Sequence, residues 1–173
     1  HPFVGVRHLE TLGVDDETLQ AILGHADYSG VARETPMAIA LFAVDELSGF
    51  IVACSKVRPE GIATLTPKSV KKKLKDKAFA AAVSREDIAL GVEEIGALAG
   101  VDLTGHVQNC IDALRAARER GFRAMQFNFV VASNVGAVHL WKTLGFAAVG
   151  RLPNAFDHPA RGMVDALIMY RQL

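Results

Sequence analysis

Over roughly the first two thirds of the chain, apolar residues recur three and four positions apart, a period that predicts helices. Residues 3–12, FVGVRHLETL, place Phe3, Val6, Leu9 and Leu12 on one stripe, with Gly13 positioned to end it. Asp15 or Asp16 caps a second short helix that turns Leu19, Ile22 and Leu23 inward and leaves His25 near its C-terminal end. Residues 26–34 form a polar loop. The longest apolar run, Thr35 to Arg58, is predicted as a buried central helix, with Thr35 as its cap and Pro36 at its first position. Thr66-Pro67 opens a helix in which Lys68, Lys71, Lys72, Lys73, Lys75 and Lys77 accompany Val70, Leu74 and Phe79, predicting one basic amphipathic face. Ser84, with Asp87 three residues on, starts the next helix, which Gly96 and Gly100 are expected to break. Asp102 or Thr104 starts a last one, carrying Val107, Ile111 and Leu114 inward as far as the RERG at 118–121.

Past Gly121 the period drops to two. Met125, Phe127, Phe129 and Val131 alternate with Gln126 and Asn128, which predicts a strand. Ser133-Asn134 then caps a short helix closed by Gly145, and strand-like runs follow at residues 146–151 and 163–170. No repeat, low-complexity tract or linker marks the change, so a helical portion passes directly into a mixed one near residue 117.

Composition adds limits. With 173 residues and zero formal net charge, the chain offers one domain or a domain with an appendage, and no global field favouring nucleic acid or an anionic membrane. Two cysteines, Cys54 and Cys110, make no disulfide framework, so a reducing cytoplasm is the expected setting. The central run approaches membrane-spanning length, but Asp45 and Glu46 at its middle would each cost about 2.5–3.5 kcal/mol in a bilayer. A carboxylate in that apolar company must be paired, hydrogen-bonded or metal-bound. Asp45 is therefore read either as a metal ligand or as one of two acids of which one lies at the solvent edge and the other caps a neighbour or pairs with an Arg. His25 is read either as a ligand or as a side chain serving the last carbonyls of its helix. His8 and His106 read as surface positions.

Gly24-His25-Ala26-Asp27-Tyr28, ETPMAIALFAVDELSGF and KSVKKKLKDKAFAAAVSRED resemble one bacterial branch of the HD-domain metal-dependent phosphohydrolases, over residues 1–116. Such enzymes hold divalent metal with a His, an adjacent His-Asp pair and a distal Asp, often with two further His between. The resemblance implies Asp45 as the distal Asp, His25 as one intermediate His and His1 as the other, binding Mn, Fe or Zn and acting on a phosphorylated small molecule. No adjacent His-Asp pair occurs in the sequence; Asp157-His158 has the reverse order. The chain begins at His1, so a fragment or processed product with an incomplete, substoichiometric metal site is expected.

Residues 121–173, with their Asn-containing helix start, the LGF after it and the closing VDALIMYR, are similar to the C-terminal third of the GNAT acyl-CoA N-acyltransferases. The resemblance implies that Asn134 approaches CoA, and that Trp141 stands where a tyrosine general acid is often found. The family's glycine-rich pyrophosphate cradle has no counterpart in the spacing of Gly96, Gly100 and Gly105, so acetyl-CoA binding is not expected. The expected fold is mainly α: an HD-like helical bundle over 1–116, then a small α/β strand-helix-strand-strand segment of GNAT type over 117–173. The leading expectation is an HD-type phosphohydrolase with an incomplete site. The alternatives are a GNAT N-acetyltransferase and a non-catalytic fusion or interaction module. Self-association through the strand at 124–131 is expected, and neither membrane nor nucleic acid is an expected partner.

Overall fold

The computed structural model describes residues 2–172 apart from Arg123, Leu144 and Pro159; for Met125, Phe127, Asn128, Phe129 and Leu140 it describes the backbone alone. The chain divides into two units, Pro2–Leu114 and Arg115–Leu173.

The helical unit holds α1 (Phe3–Thr11), α2 (Asp16–Gly24), α3 (Pro36–Lys56), α4 (Pro67–Leu74), α5 (Arg85–Ala99) and most of α6 (Leu103–Glu119). Its starts are set by side-chain caps. Asp15 accepts from Thr18 N, Thr35 from Ala38 N, Thr66 from Ser69 N, Ser84 from Asp87 N and Asp102 from Gly105 N. The core is centred on α3, whose Phe42, Leu47, Phe50 and Ile51 are buried together with Val70, Val107 and Ile111. α3 also has the length and composition of a membrane span, but half of that stretch is buried inside the unit.

Several expectations need correction. α5 runs through Gly96 and ends only at Gly100, where φ is +67°. A glycine inside a helix costs about 1 kcal/mol against alanine, which packing readily offsets. His106 is buried rather than exposed, and its Nε2–H donates to the Ala43 carbonyl at 2.9 Å. The basic face is shorter than expected: Lys68, Lys71, Lys72 and Lys75 are exposed while Val70 is buried, and Lys77 lies past the end of α4. Lys71 turns to Thr104, and Lys73 lies 4.5 Å from the centre of the Phe79 ring, because α4 ends at Leu74 and the chain folds back.

The second unit holds β1 (Ala124–Val131), α7 (Val135–Thr143), β2 (Ala147–His158) and β3 (Gly162–Gln172). The strands form an antiparallel sheet in the order β1-β3-β2. Val130, Phe146 and Met169 make its core, with Ala137, Val138, Trp141 and Leu167 packed against them. A bulge in β1 between Phe127 and Val130 shifts the expected alternation by one residue, so Val130 is buried with Met169 and Val131 is only half-buried. β2 continues past the predicted end at 151, through Pro153 and Asn154 (φ +50°), where its register with β3 also shifts. An edge strand tolerates this, because a proline there gives up no bond to a second neighbour.

Candidate functional site

α3 and α5 meet where α5 has no side chain. A Cβ at Gly91 would lie 2.8 Å from the Ala43 backbone, so only glycine permits this approach. Two turns back along α5, at its N-cap, Ser84 N donates to Glu46 Oε2 at 3.1 Å. Pairs 43/91 and 46/84 run in opposite directions, so the two helices are antiparallel. Ser84 makes only half of the expected capping box with Asp87. The reciprocal acceptor for the Ser84 N–H is Glu46 from α3, where the box pattern would put the Asp87 side chain. Asp87 instead joins Asp45 and Glu46 in lining an open depression of about 440 Å³.

α2 brings His25 to the same depression, which Tyr28 and Phe42 also line. The last four residues of a helix leave carbonyls without intrahelical partners. Here Ala21 O accepts from His25 N, Leu23 O from Ala26 N and Gly24 O from Arg33 Nη1, while Ile22 O is bonded by His25 Nδ1. A carbonyl only accepts, so Nδ1 carries the proton and a neutral ring keeps its lone pair on Nε2.

The carboxyls feel this crowding. Water reaches Asp45, yet loss of hydration raises its pKa, His25 opposes the rise and Asp87 adds to it. Glu46 is pushed up to about 7, first by desolvation and then by Asp45 and Asp87, against the Ser84 N–H and Arg85. The arrangement sets an imidazole beside carboxyls that keep a proton to higher pH than free ones. Among the described residues, however, no group of three or more His, Cys, Asp or Glu side chains is set to hold a metal ion. His1 lies outside the described residues. His25 and Asp45 line one depression, and Glu46, the second acid of α3, accepts from Ser84 N there; Asp87 was not singled out from the sequence. The box pattern at Ser84 hid Asp87 by giving it a local role.

In the second unit, Asn134 Oδ1 accepts from Ala137 N at 3.0 Å and so caps α7. Trp141 packs edge-on against Phe146, with ring centres 5.4 Å apart, in the core of that unit. Six of the seven described α-helices begin with a side-chain oxygen on an N–H of the first turn, α1 being the exception. A pyrophosphate cradle needs such N–H groups free.

No family model and no curated protein matches the chain. Among solved structures, a GCN5-related N-acetyltransferase from Kribbella flavida is similar to 37% of this chain at 48% identity, with a TM-score of 0.33. The match spans 38% of that protein's own length.

Proposed function

We infer that this chain is related through part of its length to the GCN5-related N-acetyltransferases, and propose that its second unit derives from acyl-CoA-dependent N-acyl transfer without the grip on CoA that the reaction needs. The 48% identity over 37% of the chain supports the relationship. In acyl transfer an amine attacks the thioester carbonyl and a thiolate departs, so a protein must hold the thioester and protonate the sulfur. Asn134 is the residue that the resemblance puts beside CoA, and its Oδ1 is engaged as the α7 cap. Trp141 has only an indole N–H, which donates a hydrogen bond and has no useful acidity. Calorimetric titration with acetyl-CoA tests the proposal. No saturable binding at micromolar concentration is expected. Saturable binding that is lost in Asn134→Asp, which keeps the cap, would overturn it and make acyl transfer the leading activity.

A second reading is favoured by one observation in the helical unit: His25 is anchored through Nδ1 in a depression it shares with Asp45. We propose that these two residues are ligands of a divalent metal site of phosphohydrolase type. Bound Mn, Fe or Zn would polarise a phosphoryl oxygen and acidify a water. His25 and Asp45 supply nitrogen and carboxylate donors, too few to close a metal's coordination shell. Metal analysis after dialysis should then give less than one equivalent. A stoichiometric content would show a complete site, while His25 NMR signals indifferent to added Zn would remove this reading.

A further inference from the structure

We propose that Arg33 is the positioning residue of the depression, holding the end of α2 so that the His25 ring keeps one orientation toward Asp45. Its functional meaning rests on reading those two residues as ligands; its geometry does not. A loop arginine is ordinarily solvated, but the Arg33 side chain is only 10% exposed. Nε and Nη2 donate to the two oxygens of Glu94 on α5, at 2.8 and 2.7 Å. Nη1 donates to Gly24 O at 3.0 Å and also to Asp27. The guanidinium lies 3.7 Å from the centre of the Phe42 ring on α3.

This fork meets both halves of the site. Gly24 O is the last carbonyl of α2, and the next residue is His25. Phe42 stands three residues before Asp45 on α3 and lines the same depression. The close packing supports a dedicated fit, since a Cβ at Gly24 would lie 3.2 Å from the Arg33 Cγ. Without the guanidinium, Gly24 O loses its donor and Glu94 loses a two-bond partner. The last turn of α2 is then free to fray, and with it goes the fixed distance between the His25 ring and Ile22 O. A planar, always charged fork suits this task, whereas an ammonium group reaches fewer of these acceptors.

Long-range proton–nitrogen NMR of the His25 imidazole in the full chain at pH 8 tests the proposal. The parent should show a single Nδ1–H tautomer, and Arg33→Met should lose it and give a mixture. Arg33→Lys, able to serve Gly24 O but not both oxygens of Glu94, should restore it in part. A single Nδ1–H tautomer in Arg33→Met would overturn the proposal. If that protein does not fold, Arg33→Gln is read in the same way. A purely structural role would lower the melting temperature without moving the tautomer of the folded protein. Zn titration of the same samples separates the two questions. Loss of the tautomer with no Zn response sinks the metal reading alone, whereas a Zn response with an unmoved tautomer sinks the role of Arg33.

Discussion

Asp45 is exposed at the rim of the depression, where lost hydration and Asp87 raise its pKa and His25 lowers it, so without metal its ionised form brings the fold little that an alanine would lose. Asp45→Ala is therefore expected to be neutral or stabilising by a few tenths of a kcal/mol in chelator, with the helix propensity of alanine adding to the effect. Thermal melts check this. A drop of several degrees that chelator abolishes would mean that metal stabilises the parent. Glu46 gives a pH test. Its folded value of about 7 lies above the ordinary 4.5, so the fold binds its proton more tightly than the unfolded chain does. That stability is present in full below about pH 4.5 and is lost as pH rises through 7. Glu46→Gln keeps an acceptor for Ser84 N and removes the titration. In urea unfolding it should match the parent at pH 4 and exceed it by about 1 kcal/mol at pH 8, a figure kept small because the group stays partly hydrated. Equal stability at both pH values would refute the shift. Asp45 was legible in the sequence as an acid in an apolar run. Arg33 was not, because its partners lie on α2, the loop, α3 and α5.

At the scale of elements, the crossing of α3 and α5 decides whether the acids meet. Gly91→Ala should cost about 1–3 kcal/mol, since the added carbon must displace backbone at Ala43. It should also move the first turn of α5 away from Glu46, exposing the Ser84 N–H to faster amide exchange. Unchanged stability and exchange would mean that the helices part at no cost. The caps that start α2 to α7 were readable, because Asp, Thr, Ser and Asn each act within three residues of themselves. The role of Gly91 was not, because a glycine in a helix looks the same whether it faces water or another helix.

At the scale of the molecule, β1 is an edge strand of its sheet, and Ala124–Phe127 pair with β3 in regular register before the bulge. An edge of this kind, without charge or proline, pairs readily with a second copy. Concentration-dependent self-association is expected in sedimentation, weakened by Ala124→Lys. A strict monomer with slow amide exchange along 124–127 would show that the edge is covered. β2, the opposite edge, carries Arg151, Pro153 and two register shifts, which disfavour such pairing.

The sequence by itself determined the helices of the first unit, the strand-helix-strand-strand order of the second and the positions of the caps. Each depends on periodicity or on hydrogen bonds that span three or four residues. Only the tertiary structure decided that Glu46 takes the Ser84 N–H, that Asp87 faces Asp45, that His106 is buried against Ala43 and that Arg33 ties α2, the loop, α3 and α5 together. These contacts join residues up to 63 positions apart, where which groups meet is set by helix crossing and burial rather than by any local pattern.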